Sequence, residues 1–163
     1  MKLKFILIPI LIPFLLLIVI TVIDFTIGDY IEISVVTQTY VPLTCKMDII
    51  DTHGARNEGE TNAKIYFTDK KAEKFIQKIK ENSNWKEFPM HQKLQTRVEK
   101  LDCFDEDVPI AKNGYWFFYN RHESFNDKYD PEEKFSVPGS PSNFAVAIFD
   151  TDTNILSYYE LDM

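Results

Sequence analysis

The sequence contains few of the residues that build cross-linked or nucleotide-binding domains. Its 163 residues include only two cysteines, too few for a disulfide-rich scaffold or a four-cysteine zinc site. Its five glycines form no phosphate-binding loop, dinucleotide fingerprint or nucleophile elbow. The formal net charge is -7, which argues against a nucleic-acid partner. We therefore expect no cofactor, and no complete catalytic motif assigns an activity.

Charged side chains are also missing from one long stretch, residues 5–23, which reads FILIPILIPFLLLIVITVI. A helix of this length reaches roughly 28 Å, close to the thickness of a hydrocarbon core. Pro9 and Pro13 are tolerated in membrane-spanning helices. A cleavable signal peptide has a shorter apolar region of about 7–15 residues, and no Ala-x-Ala site follows here. The stretch predicts a retained signal anchor, with a transmembrane helix over residues 5–27 in contact with lipid.

The charges that flank this segment predict its direction. Lys2 and Lys4 precede it, Asp24 and Asp29 follow it, and no basic residue recurs before Lys46. Basic residues stay on the cytoplasmic side of bacterial membrane proteins. We therefore expect residues 1–4 in the cytoplasm and an extracytoplasmic domain over residues 28–163, at the cell membrane.

The rest of the chain alternates between strand patterns and one amphipathic helix. A helix is predicted after Thr68 or Asp69, either of which can cap it, because one stripe recurs at helical spacing: Ala72, Phe75, Ile76 and Ile79. Residues 94–101 fit either a helix or a strand. Strands are predicted over residues 31–41, 43–50, 63–67, 115–119, 144–149 and 155–161. The fold class is therefore α+β, a small antiparallel sheet with one principal packed helix.

Loops are predicted over residues 51–60, 121–141 and 150–154, and two of them contain incomplete metal motifs. Asp150-x-Asp152-x-Asn154 copies the start of a calcium loop, but its sixth and twelfth positions are Ile155 and Leu161. His122-Glu123 begins a zinc motif that lacks its second histidine. Neither pattern predicts a metal site, and the first is explained by turn chemistry.

A stronger candidate for chemistry is the pair Asp51-x-His53 in the first loop. A carboxylate beside a histidine orients the imidazole for base or ligand duty. Gly54 would let a substrate approach the backbone, and His122 could supply a second imidazole if the fold brings the two loops together. The same residues also fit a simple turn in which Asp51 binds local backbone N–H groups. Both interpretations remain open from the sequence.

The two cysteines and a row of lysines have alternative roles. Cys45 and Cys103 could pair in an oxidising compartment, stabilising the fold by about 4 kcal/mol in the chain-entropy model, or remain free thiols. Cys45 or Cys103 with His53 is also a conceivable nucleophile pair. Lys70, Lys74 and Lys78 line one side of the predicted helix and could bind a protein or an anionic surface, or be a solvated face.

Several stretches resemble a family of small uncharacterised proteins, mainly from Gram-positive bacteria. The resemblance covers about residue 48 to the end and is best in the final hairpin. The residues that carry it are Asp51-Thr52-His53-Gly54, Asn84-Trp85-Lys86-Glu87-Phe88-Pro89, Asn113-Gly114-Tyr115-Trp116-Phe117-Phe118-Tyr119-Asn120-Arg121-His122, Asn143-Phe144-Ala145-Val146-Ala147-Ile148-Phe149-Asp150 and Tyr158-Tyr159-Glu160-Leu161-Asp162. It implies a compact α+β unit behind an amino-terminal hydrophobic segment, and it implies no activity.

The function that we predict is binding by a small domain displayed outside the membrane by a single-pass anchor. One alternative is a membrane-tethered hydrolase or metal-dependent enzyme that uses Asp51, His53 and His122. Another is an immunity-type protein that blocks a toxin or its receptor at the membrane. The sequence gives no oligomeric state.

Overall fold

The aromatic and β-branched runs of the chain form one six-stranded antiparallel sheet. The computed structural model describes residues 12–13, 15–18, 27–54, 58–100, 111–121, 128–132 and 143–163. Its strands lie in the order β1-β2-β6-β5-β4-β3, and each neighbouring pair is antiparallel. Their bounds are β1 Lys46–Asp51, β2 Gly59–Tyr66, β3 Trp85–Glu87, β4 Gly114–Asn120, β5 Phe144–Asp150 and β6 Ile155–Asp162. The predicted α+β class and antiparallel sheet are confirmed.

In the described part of the chain, three helical segments pack against the sheet: α1, described over residues 27–36, α2 (Asp69–Glu81) and α3 (Gln92–Lys100). The stripe predicted for α2 is confirmed, because Ala72, Phe75 and Ile79 are buried. Thr68 is the N-cap residue of α2, but its side chain makes no capping hydrogen bond. Asp69 also does not cap, since its carboxylate accepts a hydrogen bond from Asn154 at 3.0 Å. The predicted side-chain cap is therefore wrong.

Both faces of the sheet are covered, which corrects the prediction of one principal helix. Strand residues alternate between the faces, and β5 is apolar at every position from Phe144 to Phe149. On one face α1 and α2 pack in a cluster that contains Phe75, Trp85 and Phe149. On the other face α3 packs in a second cluster, with Leu94 and Val98 among its buried members. A continuous apolar strand requires this cover on both sides.

The prediction of a strand over residues 31–41 is wrong. Residues 31–36 continue α1, and residues 37–39 form the turn that ends it. The β-branched residues of this segment suggested a strand, but Ile33 and Thr37 are buried four residues apart, on one side of a helix. The Thr37 hydroxyl donates to the Ile33 carbonyl at 2.6 Å, and the Ser34 hydroxyl donates to the Tyr30 carbonyl at 2.6 Å.

Only part of the predicted transmembrane segment belongs to the described residues. Residues 12–13 and 15–18 are helical and exposed. Among the residues that the structure describes, no helix combines the length and the apolar character needed to cross a membrane.

Candidate functional site

Polar side chains gather on one face of the sheet where β6 ends. Glu160 and Asp162 lie two residues apart in β6, so both side chains project from the face that α1 and α2 cover. Across the sheet, Glu160 pairs with Thr61 of β2, and Thr61 pairs with Asp51 of β1. Directly paired residues share a face. The register therefore places Asp51, Thr61 and Glu160 in one row.

A close backbone contact places His53 beside this row. The hairpin of β1 and β2 extends past the end of β1, because the Thr52 N–H donates to the Glu60 carbonyl at 2.9 Å. Gly59, which pairs with Asp162, lies directly under His53. A Cβ at position 59 would come within 2.6 Å of the His53 Cα. Glycine at this position therefore allows the His53 backbone to pass next to the end of β6.

The imidazole of His53 is held from one side by Asp51. Its Nδ1 lies 2.6 Å from the Asp51 Oδ1, and its backbone N–H donates to the same oxygen at 2.9 Å. The backbone N–H is the main reason why the pKa of Asp51 is lowered, and the ring adds to the effect. The ionised carboxylate needs a donor, so the Nδ1 carries a proton. If the ring is neutral, the Nε2 then carries no proton and can accept a hydrogen bond or bind a cation.

That Nε2 faces the end of β6 without a hydrogen-bond partner. It is buried, and the Asp162 Oδ2 lies 3.6 Å from it. Two acceptors that face one another in a buried place repel, unless a proton or a cation lies between them. The geometry of His53 therefore suits a proton or a cation at this point, beside the Arg121 guanidinium that lies 2.9 Å from the same Asp162 oxygen.

The two carboxylates of β6, Glu160 and Asp162, are buried and share one arginine. Side-chain exposure is 3% for Glu160 and 10% for Asp162. The Arg121 Nη1 contacts the Glu160 Oε1 and lies 2.9 Å from the Asp162 Oδ2. Tyr158 donates its hydroxyl to the other oxygen of Glu160. Burial, with help from the nearby Glu32, raises the pKa of Tyr158, so the tyrosine remains a donor.

Negative charge exceeds positive charge in this cluster, which we call the His53 cluster: Asp51, His53, Arg121, Glu160 and Asp162. With a neutral imidazole, the cluster holds one guanidinium and three carboxylates, of which Glu160 and Asp162 are buried and Asp51 is half exposed. The neighbouring helix α1 adds Asp29, whose pKa is raised by burial and by the charge of Asp51. Buried charges are costly unless they are paired. A further positive charge would therefore stabilise the cluster.

The remaining ligand groups are close enough to share that charge. One nitrogen of His53 and one carboxylate oxygen each from Glu160 and Asp162 lie within 4.8 Å of one another. They form the one group of three or more candidate metal ligands among the described parts of the chain.

The sequence identified two of the five residues of this cluster. Asp51 and His53 lie together: Asp51 accepts from the local backbone N–H of His53, as the turn interpretation predicts, and its carboxylate also contacts the imidazole. A chemical role for the imidazole stays a prediction. His122 lies outside the described residues, so its proposed role with His53 stays a prediction. Arg121, Glu160 and Asp162 were not identified as site residues from the sequence. Glu160 and Asp162 could have been, because acidic residues at alternate positions of a mostly apolar strand indicate a polar site on one face of the sheet.

The other predicted sites lie away from this cluster. In the 150–154 turn, the carboxylate of Asp150 accepts from the Asp152 N–H and the Thr153 hydroxyl, both at 2.8 Å, as turn chemistry predicts. Cys45 is buried, and Cys103 lies outside the described residues, so their pairing stays a prediction. Lys70, Lys74 and Lys78 project from α2.

Comparison of the chain with protein-family profiles, curated proteins and solved structures gave no match. Its function is accordingly inferred from the side chains of the His53 cluster and from the apolar segment that precedes the domain.

Proposed function

We propose that this chain is a single-pass membrane protein whose extracytoplasmic α+β domain binds a divalent cation. The anchor is residues 5–27, and the ligands are His53, Glu160 and Asp162. One observation carries the cation site, namely the buried Nε2 of His53, which lacks a hydrogen-bond partner and points at a buried carboxylate.

The donor set favours a first-row transition ion. Imidazole nitrogen suits zinc and its neighbours in the periodic table, and carboxylates also accept zinc or manganese. Asp51 at the Nδ1 of His53 supplies the outer carboxylate that commonly orients a metal-bound histidine. Arg121 holds the two carboxylates together in the absence of the ion. Its side chain is 29% exposed, so it has room to rotate outward when a cation binds.

A metal-dependent hydrolase is the second candidate function. Three protein ligands leave a coordination position for water, the arrangement of catalytic zinc sites. The Gly54 side of the loop is open, since a Cβ there would meet no atom within 4 Å. Hydrolysis of a test ester by the zinc-loaded chain, lost in a His53→Ala variant, would favour this function over binding alone.

Titration of the purified full-length chain with Zn²⁺ tests the cation site. We expect one tight site per chain, and we expect His53→Ala to weaken it on the order of 100-fold, because one of three ligands is lost. His91→Ala is the matched control, since His91 pairs with Glu132 at 3.2 Å outside the cluster. Equal affinity of the His53→Ala and unaltered chains would contradict the proposal.

Reporter fusions test the membrane part independently. Alkaline phosphatase fused after residue 40 is expected to be active, and a fused cytoplasmic reporter inactive, because the charges that flank residues 5–23 favour a domain outside the membrane. The reverse pattern would contradict the orientation. It would not bear on the cation site, which the zinc titration tests separately.

A further inference from the structure

The outer side of α1 is apolar and exposed. Ile27, Ile31 and Val35 recur every four residues, so they lie on one side of the helix. Ile31 and Val35 are exposed. Asp29 and Ile33 lie on the opposite side, where Ile33 is buried against the sheet and Asp29 approaches Asp51. The helix therefore separates the His53 cluster from an unpartnered apolar surface.

The turn after α1 extends this surface. A groove of about 370 Å³ runs between α1 and residues 38–43, and its lining is almost entirely apolar. Tyr40 and Leu43 at its rim are exposed. Contiguous apolar surface of this kind marks a protein or membrane contact more often than a free surface.

A second groove brings positive charge to the same rim. It has a volume of about 490 Å³ and is lined by Tyr40, Pro42 and residues of α2, including Lys71, Lys74 and Lys78. The exposed Lys78 ammonium also pairs with Glu81 at 2.6 Å. Tyr40 belongs to both grooves and therefore lies where the apolar surface meets the lysines. Tyrosine beside lysine is the composition found at the interface between hydrocarbon and headgroups.

We infer that this surface, which we call the docking face (Ile31, Val35, Tyr40, Leu43, Lys74 and Lys78), lies on the headgroup layer of the membrane and binds anionic phospholipid. This inference rests on the proposed membrane anchor. It adds that the domain lies against the bilayer in one orientation, with α1 between the lipid and the His53 cluster.

Continuity with the anchor favours lipid over a protein partner. The proposed anchor ends at residue 27, and Ile31, the first residue of the docking face, follows four residues later. So short a separation in sequence keeps the docking face within reach of the bilayer surface at a high effective concentration. Lysines near an anionic surface are attracted to it, and apolar side chains enter the boundary between headgroups and acyl chains.

Tryptophan quenching in lipid nanodiscs tests the orientation. The full chain is reconstituted with doxyl-labelled lipid in equal parts of phosphatidylglycerol and phosphatidylcholine, or in phosphatidylcholine alone. Val35→Trp reports on the docking face, and Ile50→Trp is the matched control, because Val35 and Ile50 are both 69% exposed. The native Trp85 and Trp116 are buried and provide a common background.

We expect Val35→Trp to be quenched about twice as strongly as Ile50→Trp in the anionic discs, since few residues separate the docking face from the proposed anchor. Adding Lys74→Glu and Lys78→Glu should reduce this quenching to the level seen in phosphatidylcholine alone. Equal quenching at positions 35 and 50 would overturn the docking face. If quenching at position 35 were stronger but did not change with the two lysine substitutions or with the charge of the lipid, the preference of the docking face for anionic lipid would be wrong.

Failure of the anchor gives a different result. A chain without a membrane anchor would elute apart from the nanodiscs, and both the proposed anchor and the docking face would then be wrong. If the chain elutes with the nanodiscs but quenching is equal at positions 35 and 50, the proposed anchor stands and only the docking face is wrong.

Discussion

Arg121→Met is expected to lower the free energy of unfolding by about 3–5 kcal/mol in metal-free buffer. The substitution keeps an unbranched, flexible side chain, shorter than that of arginine, and removes the charge. Glu160 and Asp162 are both buried and both contact the guanidinium, so two carboxylates would lose their common counter-charge. Urea unfolding of the full-length chain in the presence of a chelator measures the loss.

Zinc is expected to recover most of this stability in the Arg121→Met variant. A ligand at 100 times its Kd stabilises the folded state by about 2.7 kcal/mol, and an ion held by the same carboxylates supplies the missing charge. Lys46→Met is the control, because Lys46 pairs with Asp48 on an exposed edge and should change stability little with or without zinc. If the Arg121→Met variant were destabilised but zinc did not restore its stability, the cluster would be an ion-pair network without a cation site.

Gly114→Ala is the second substitution with a large expected effect. Gly114 begins β4 with a φ of +131°, a region of backbone space that is essentially restricted to glycine. A Cβ there would lie 2.0 Å from the carbonyl oxygen of Phe149, in the paired strand β5. Backbone strain of about 1–3 kcal/mol adds to the cost of separating two central strands. We expect a total loss of about 3 kcal/mol or more, measured by thermal unfolding.

Gly54→Ala is the matched control for this substitution. A Cβ at position 54 would meet no atom within 4 Å, so we expect a change within about 0.5 kcal/mol. If the two alanine variants unfolded alike, β4 and β5 would not be paired with Gly114 opposite Asp150 as the structure has them.

The elements that could be predicted are those with local periodicity. The stripe of α2 and the hairpin of β5 and β6 follow from residues close in sequence, and the turn at Asp150 follows from its side-chain hydrogen bonds. For α1, the β-branched residues favoured a strand while tertiary packing of Ile33 against the sheet favoured a helix. Local propensity is weak beside such packing.

The His53 cluster could be predicted only in part, because register joins its members. Asp51 and His53 are neighbours in sequence and were identifiable. Asp162 meets them only because β6 pairs with β2, with Gly59 opposite it. A strand is predicted just before Arg121, at residues 115–119, but the sequence does not indicate that Arg121 lies on the same face of the sheet as Glu160 and Asp162. One residue of slip in any of these pairs would send the side chains to the other face.

X-ray absorption at the zinc edge tests the cation site most directly. The full-length chain loaded with one equivalent of Zn²⁺ should show only nitrogen and oxygen ligands at about 2.0–2.2 Å, including the scattering pattern of one imidazole. His53→Ala should remove that imidazole pattern, and His91→Ala should leave it intact. A sulfur shell near 2.3 Å, or an imidazole pattern that survives in His53→Ala, would contradict the site.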